Sequence, residues 1–188
     1  MEYVIFDMEW NMPNGRFKIT QNDVPLSAEI IQIGAVKVHE DLSVIDTFSR
    51  IVKPQVYTKI KREVTELTEI SAEMLESGDP FQEVVKDFLE WCGDDYVFIS
   101  WSPNDIYQLE DNMLFFGMDI DGLADCYDVQ VMFDDQVTNE DRNFALSYAM
   151  WKFDIKPDMS HDALNDAMNT LKVMKRLDFS EGIDDYLI

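Results

Sequence analysis

The stretch Tyr3-Val4-Ile5-Phe6-Asp7-Met8-Glu9 decides the fold that we predict for this sequence of 188 residues. It opens with apolar residues that favour a β-strand and ends with two carboxylates. A longer run rich in β-branched residues follows at 30–38, and a third run at 44–52 is closed by Pro54. Together the three runs predict a three-strand antiparallel meander at the start of the chain.

Helical spacing begins after the meander. Asp79-Pro80 predicts an N-cap followed by proline at the first helical position, and apolar side chains then recur at helical spacing over 81–92. Residues 96–101 predict a buried strand, and Ser102-Pro103 opens a further helix that ends near Gly117.

Two more helices are predicted towards the C-terminus, over 144–153 and 162–177. The order of elements predicts an α/β fold, with a mixed central sheet that contains the meander and further strands and is flanked by helices. No repeat, low-complexity tract or break in composition interrupts this order. We therefore expect one domain that spans residues 1–188.

Composition excludes several classes of protein. No run of about 18 uncharged apolar residues exists, and the N-terminus lacks the basic and hydrophobic regions of a signal peptide. We therefore expect a soluble, cytoplasmic protein. Cys92 and Cys126 stand far apart without C-x-x-C spacing, which favours two reduced thiols over a zinc site.

The charge balance is strongly negative. The 38 acidic and 15 basic side chains leave a net charge of −23, and such a field repels a polyanion. This disfavours a protein that coats nucleic acid, but it allows an enzyme that grips a few terminal nucleotides while metal ions supply local positive charge. One basic segment lacks acids and reads either as a contact for a phosphate backbone or as a solvated loop. Its basic residues are Arg50, Lys53, Lys59, Lys61 and Arg62.

Asp7 and Glu9 end the first predicted strand and form the first candidate site. Because side chains alternate along a strand, both carboxylates lie on one face and Met8 points to the other. Two adjacent negative charges at the edge of a core repel each other, and a cation between them relieves the repulsion. Acids are common in this chain, so a D-x-E pair also arises by chance and needs its context.

Asp105, His161 and Asp166 are the other candidates. Asp105 falls in the first turn of the helix after the 96–101 strand, where an acid also simply complements the helix dipole. On a helix that begins near Asp162, Asp166 falls in the second turn, while His161 precedes the helix and can reach a water near the same site. This arrangement gives a fixed ligand and a mobile base.

The order D-x-E, then an aspartate after a mid-chain strand, then H-x4-D resembles the DEDDh group of DnaQ-like 3′→5′ exonucleases. Further motifs extend this resemblance over residues 3–177. Glu29-Ile30-Ile31-Gln32-Ile33-Gly34-Ala35-Val36 is similar to the family's second strand, Val52-Lys53-Pro54 to the end of its third, and Leu67-Thr68-Glu69-Ile70 to its L-T-G-I turn. Ser100-Trp101 and the helix start at 163–169 are similar to the branch of Eri-like and KapD-type enzymes.

The resemblance implies an RNase H-like fold and an exonuclease that releases 5′-mononucleotides from single-stranded RNA or DNA ends. Asp7, Glu9 and Asp166 would hold one divalent ion, and Asp7 with Asp105 a second, so that two Mg²⁺ or Mn²⁺ ions bind per site. His161 would act as the general base.

The resemblance also implies which residues contact the substrate. Met8, Leu67 and Ile70 would line a pocket for the terminal base, where apolar contact and stacking hold a base without reading its sequence. Trp10 is a further candidate, and Trp101 either stacks on a base or belongs to the core.

Two positions depart from the family pattern. Glu69 stands where the L-T-G-I turn has glycine, and it would place a negative charge near the terminal nucleotides. Trp10-Asn11 stands where small hydroxyl or similar residues often follow D-x-E. These departures keep open a second interpretation, a weakly active or inactive nucleic-acid-binding or regulatory protein on the same fold. An internal nuclease and a small-nucleotide phosphodiesterase are further alternatives, and product analysis distinguishes them from an exonuclease.

Overall fold

The computed structural model describes residues 1–15, 18–138, 140, 142–157, 161–180 and 182–188. Within these ranges the strands are β1 (Glu2–Asn11), β2 (Thr20–Gln21), β3 (Val24–Pro25), β4 (Glu29–His39), β5 (Val44–Lys53), β6 (Asp79–Pro80), β7 (Tyr96–Ser100) and β8 (Cys126–Asp128). One six-stranded sheet has the order β6-β5-β4-β1-β7-β8, and β2 pairs with β3 in a separate sheet.

The predicted meander forms the middle of the large sheet. β4 runs antiparallel to both β1 and β5, whereas β7 runs parallel to β1, β8 parallel to β7, and β6 parallel to β5. The sheet is therefore mixed, as the sequence predicts.

Helices cover this sheet on both faces. They are α1 (Arg62–Thr68), α2 (Ala72–Ser77), α3 (Phe81–Cys92), α4 (Asn104–Phe115), α5 (Val129–Phe133), α6 (Leu146–Lys152) and α7 (Ala163–Met174). A π-helical turn follows α5, and a 3₁₀ turn lies near the C-terminus. In the described ranges, none of the helices has both the length and the apolar character needed to cross a membrane.

Side chains alternate across β1, so the two faces of the sheet carry separate cores. Tyr3 and Ile5 face the core that α6 and α7 close. Val4 and Phe6 face the opposite core, where Phe6 packs against Phe88 of α3 with ring centroids 6.4 Å apart. Each fully buried side chain of this size stabilises the fold by about 1.5–3 kcal/mol. The strand that carries the candidate carboxylates is therefore rigidly held from both sides.

The prediction that Asp79 caps α3 is wrong. Asp79 and Pro80 instead form β6, which pairs in parallel with Val52 and Lys53 at the edge of β5. The Asp79 carboxylate also forms an ion pair with Arg50. The helix begins directly after Pro80, which offers no side-chain cap. The strand pairing with β5 and the ion pair with Arg50 therefore hold Asp79 away from the helix end. A capping contact, which stabilises a helix by only ~1 kcal/mol, does not outweigh them.

Gly34 in β4 lies directly against the first turn of α7. A Cβ at this position would lie 2.0 Å from the backbone nitrogen of Leu164 and 2.2 Å from the carbonyl carbon of Ala163. Gly34 is also the β4 partner of Asp7 in β1. The missing side chain therefore lets the start of α7 rest on the sheet next to the first candidate carboxylate.

We expect Gly34→Ala to destabilise the fold by roughly 3 kcal/mol, because the methyl group meets backbone atoms that cannot rotate away. Urea unfolding measures the change. Gly122→Ala is the matched control, since a Cβ there would meet nothing within 4 Å, and it should change the free energy of unfolding little. Equal unfolding free energies for the two variants would contradict the close approach of α7.

Candidate active site

Strand β1 supplies the first two carboxylates. Asp7 and Glu9 follow Tyr3 and Ile5 in the alternation along the strand, so they project to the face that α7 covers. The pairing of β1 with β4 shifts register between Glu9 and Trp10. The strand continues to residue 11, two residues beyond the predicted carboxylate pair.

Helix α4 supplies the third carboxylate. Asp105 lies in its first turn, as predicted, and is only 6% exposed. Its Oδ1 atom accepts a hydrogen bond of 3.0 Å from the backbone N–H of Met8. Because Met8 stands between Asp7 and Glu9, this bond fixes the Asp105 carboxylate beside the other two.

The start of α7 supplies the fourth carboxylate and is held by Gln32 of β4. Gln32 Nε2 donates to Asp162 Oδ2 at 2.9 Å, and Gln32 Oε1 accepts from the backbone N–H of Ala163 at 3.2 Å. Asp162 caps the helix by accepting from the Asn165 N–H at 3.1 Å. Asp166 therefore lies in the first turn of α7. The prediction that it lies in the second turn is wrong, because capping by Asp162 starts the helix at residue 163.

His161 precedes this helix in a left-handed backbone conformation, with φ of 63°. Its backbone N–H donates to Asp166 Oδ2 at 2.7 Å, while its side chain is exposed. Ligand atoms of Glu9, His161 and Asp166 all lie within 4.8 Å of one another. The structure thus brings side chains from both ends of the sequence to one point.

Burial and mutual repulsion dominate the electrostatics of this cluster. Burial, followed by the charges of Asp105, Glu9 and Asp166, raises the pKa of Asp7 well above its usual range. Burial and the charge of Asp166 raise the pKa of Glu9 to about 8. Burial also raises the pKa of Asp105, although the hydrogen bond from the Met8 N–H lowers it in part. A multivalent cation would offset this repulsion and favour the ionised carboxylates.

We expect a divalent ion to raise the melting temperature more at about pH 8.5 than at about pH 6. The pKa of Glu9 rises from 4.5 to about 8 on folding. Its contribution to stability is therefore complete below about pH 4.5 and is lost as the pH rises towards about 8. A bound cation restores this loss, and it competes with fewer protons at high pH. Thermal melts with and without Mn²⁺ at both pH values test this, and equal shifts would contradict it.

Two clefts open on either side of the cluster. We call the first, of about 370 Å³, the α1 cleft; its own lining includes Met8, Glu9, Trp10, Val64 and Leu67. We call the second, of about 520 Å³, the α6 cleft; its own lining includes Trp101, Leu146, Met150, Trp151 and Asp154. Both clefts are also lined by Asp7, Ser102, Asp105, His161 and Asp166. Three of the four acidic residues therefore line both clefts, whereas Glu9 lines the α1 cleft alone.

The structure separates the predicted base-contacting residues. Met8, Trp10 and Leu67 line the α1 cleft, and Leu67 is 52% exposed there. Ile70 lines neither cleft, is 2% exposed and packs in an apolar cluster beneath α1 and α2. The turn after α1 directs this side chain into the core, and its contact with the terminal base stays a prediction.

Trp101 is mainly a core residue. Its Nε1 atom donates to the carbonyl of Phe144 at 3.0 Å, and its ring centroid lies 5.8 Å from that of Phe133. It still lines the α6 cleft with part of its surface. Of the two interpretations that the sequence leaves open, the core role describes most of its contacts.

The basic segment, which the sequence leaves open as a phosphate contact or a solvated loop, is partly used within the fold. Arg50 pairs with two carboxylates, and Arg62 pairs with an acid of its own helix. Lys59 and Lys61 are held beside the end of β1 by the buried Asn11, whose Nδ2 donates to the Lys59 carbonyl at 3.0 Å and whose Oδ1 accepts from the Lys61 N–H at 3.2 Å. Both interpretations, a phosphate contact and a solvated loop, stay open for these two lysines.

Glu69 ends α1 in the left-handed conformation, with φ of 61° and its N–H donating to the Thr65 carbonyl. Glycine adopts this conformation without strain, which explains its place in the L-T-G-I turn. The Glu69 side chain is exposed and lines neither cleft. Its charge therefore lies outside the lining of both clefts, and its effect on the terminal nucleotides stays a prediction.

We expect Glu69→Gly to stabilise the fold by ~1 kcal/mol, because it relieves a left-handed conformation that costs residues with a Cβ. Urea unfolding measures the gain. Glu69→Ala removes the same charge but keeps the Cβ, so it should bring little of this gain. An equal gain in both variants would assign the effect to charge and not to the backbone.

Comparison with known proteins identifies the family of this chain. Residues 4–174 match the model of the RNase_T family, which is described as exonuclease. The chain therefore belongs to the RNase_T exonuclease family, and its predicted resemblance to the DnaQ-like enzymes is confirmed.

Two relatives illustrate the range of the family. The chain is 26% identical over 181 residues to the probable 3′-5′ exonuclease KapD of Bacillus subtilis (strain 168), covering 92% of this chain and 82% of KapD. It is 32% identical over 116 residues to the PolC-type DNA polymerase III of Clostridium perfringens, covering 62% of this chain but only 7% of that protein. The second match thus concerns a small part of a much longer protein.

Solved structures share the fold. The nuclease domain of 3′hExo, a DEDDh family member bound to rAMP, superposes with a TM-score of 0.83 at 18% identity, covering 100% of this chain and 96% of that domain. S. pombe Pop2p in its Mg²⁺- and Mn²⁺-bound form superposes with a TM-score of 0.65 at 17% identity, covering 93% and 81%. The predicted RNase H-like α/β fold is confirmed.

Proposed function

We propose that this protein is a 3′→5′ exonuclease that releases 5′-mononucleotides from single-stranded RNA or DNA ends. One observation carries the proposal: the carboxylates of β1, α4 and α7 meet a histidine between two clefts, each large enough for part of a nucleotide. Membership of the exonuclease family and the similarity to a probable 3′-5′ exonuclease support the direction of cleavage.

Asp7, Glu9, Asp105 and Asp166 would hold two divalent ions, for which Mg²⁺ or Mn²⁺ is suited because both prefer carboxylate oxygens. The donor set fits, since in the described part of the chain no ion pair with Lys or Arg offsets these four charges. When bound, the ions supply Lewis acidity at the phosphate and lower the pKa of the attacking water.

His161 is the general base in this proposal. Its backbone N–H is tied to Asp166, so the residue is anchored at the start of α7 while the imidazole stays exposed beside both clefts. From there a ring nitrogen accepts the proton of the water as its oxygen attacks phosphorus and the 3′-oxygen of the next nucleotide leaves. Such proton transfer contributes a rate factor of roughly 10²–10⁴.

The α1 cleft is the proposed site of the terminal base. Trp10 and Leu67 offer it an aromatic and an aliphatic surface, and the edge of Met8 closes the cleft next to the carboxylates. Apolar contact and stacking of this kind hold any base, which suits an enzyme that shortens ends of mixed sequence.

A second candidate is a nucleic-acid-binding or regulatory protein on the same fold with negligible turnover. The net charge of −23 favours it, because the long-range field opposes the approach of a polyanion. Salt screens this field beyond about 10 Å. An enzyme that contacts only the last nucleotides, with its cations bound, is therefore less affected by the field.

Digestion of 5′-labelled RNA and DNA oligonucleotides with and without Mn²⁺ decides between these functions. A ladder of products shortened one nucleotide at a time, dependent on the ion, supports the exonuclease and also reveals any preference for RNA or DNA. A protein that binds Mn²⁺ and oligonucleotide but gives no ladder supports the binding protein. Internal fragments would instead indicate an endonuclease.

A further inference from the structure

Trp151 is the most exposed large apolar side chain of the described residues, at 72% exposure. It stands on α6, at the rim of the α6 cleft, where Leu146 and Met150 add apolar surface. Its only ring neighbour within the described residues is Tyr148, at 5.6 Å between centroids in a tilted arrangement. An indole in this position contributes little to the core, but its face is available to a planar ligand.

The α6 cleft is lined by Asp7, Asp105, Asp154 and Asp166, and the nearby lysines are not part of its lining. Over residues 143–157 the sequence has two basic side chains, Lys152 and Lys156, and one acid, Asp154, in a chain whose net charge is −23. Both lysines are exposed. The exposed ring of Trp151, and not a positive charge in the cleft, is therefore the feature that favours contact with a nucleic acid strand, because an aromatic face can stack on a base of any sequence.

The acidic cluster lies between the two clefts, and its position indicates which nucleotide of the substrate would contact Trp151. A phosphate bound at the shared floor of Asp7, Asp105 and Asp166 carries one nucleoside on each side. With the terminal nucleoside in the α1 cleft, the nucleoside on the 5′ side of the scissile bond extends towards the α6 cleft, whose floor also includes Trp101.

We propose that the α6 cleft binds the base on the 5′ side of the scissile bond, and that Trp151 stacks on it. This inference rests on the proposed exonuclease function. It adds a second base contact, on the far side of the cluster from the α1 cleft. Trp151 is then a substrate-binding residue that affects binding more than the chemical step.

Two substrates separate this contact from the rest of the site. The p-nitrophenyl ester of thymidine 5′-monophosphate has no nucleotide on the 5′ side of the scissile bond, whereas a 5′-labelled pentanucleotide has one. Trp151→Ala should raise the KM for the pentanucleotide by about 5- to 50-fold with little change in kcat, and it should leave hydrolysis of the ester unchanged. Trp151→Phe should recover most of the lost affinity.

An abasic residue at the penultimate position sharpens the test. For the wild-type protein, removing the penultimate base should lower the affinity as much as Trp151→Ala lowers it for the normal pentanucleotide. For Trp151→Ala, removing the same base should lower the affinity little further. Tyr107→Ala, which removes an aromatic ring that is 50% exposed and lines neither cleft, is the matched control and should have no effect. Equal effects of Trp151→Ala on the ester and on both pentanucleotides would overturn the proposal.

Failure of the proposed function would look different. If the wild-type protein cleaves neither substrate with Mn²⁺, the exonuclease proposal fails, and the base contact is then tested by binding. Fluorescence anisotropy of the labelled pentanucleotide with Ca²⁺ present should show the same loss for Trp151→Ala and the same dependence on the penultimate base. Unchanged binding of the normal pentanucleotide by Trp151→Ala would overturn the base contact itself.

Discussion

Asp7→Asn should abolish cleavage by this protein while preserving its fold. Asp7 lies at the floor of both clefts, and in the proposed mechanism it contacts both divalent ions. An amide lacks the charge that holds them, so we expect the rate to fall by at least about 1000-fold, or ~4 kcal/mol of transition-state stabilisation. The rate of ladder formation from 5′-labelled RNA and DNA with Mn²⁺ measures the loss.

The same variant should be more stable than the wild-type protein when no metal is present. Burial and neighbouring charges raise the pKa of Asp7, so ionising it in the folded protein costs free energy that the neutral amide avoids. Urea unfolding in EDTA at about pH 8.5 tests this. Asp121→Asn removes the same charge at an exposed position outside both clefts, so it controls for the net charge. Retained activity in Asp7→Asn would refute the site assignment.

The sequence predicts the central part of this fold because local signals and long-range packing agree there. β1 alternates between two buried cores until Asp7, and the polar residues that interrupt the apolar pattern lie where the strand reaches the clefts. Burying two acids at the end of a strand costs free energy unless a partner offsets their charge, and a bound cation is one such partner. The order of motifs then locates Asp105 and Asp166, although only the folded chain brings them beside β1.

Other features have no local signal. Gln32 orients the start of α7 through two hydrogen bonds, yet its partners are about 130 residues away. The available hint is a polar side chain inside an otherwise apolar strand, which indicates burial with a partner but does not identify the partner. The pairing of β6 with β5 and the exposure of Trp151 likewise depend on tertiary contacts, since a tryptophan on an amphipathic helix predicts a core residue as readily as a surface one.

His161 should be needed for turnover but not for metal binding, and His161→Asn tests this best. Asparagine tolerates the left-handed conformation that residue 161 adopts, at φ of 63°, so the backbone N–H to Asp166 is preserved while the imidazole is lost. We expect kcat on the p-nitrophenyl ester of thymidine 5′-monophosphate to fall by roughly 10²- to 10⁴-fold. Titration with Mn²⁺, followed by calorimetry, should give a Kd close to that of the wild-type protein.

Comparison with His161→Ala separates the imidazole from the backbone. Alanine also lacks the base, but it fits the left-handed region less well, so any extra loss of stability or of Mn²⁺ affinity in this variant reports the role of the backbone in positioning Asp166. Ligand atoms of His161, Glu9 and Asp166 lie close enough to share an ion. If His161→Asn weakens Mn²⁺ binding as strongly as it lowers kcat, the imidazole is a metal ligand, and the proton must be taken by another group.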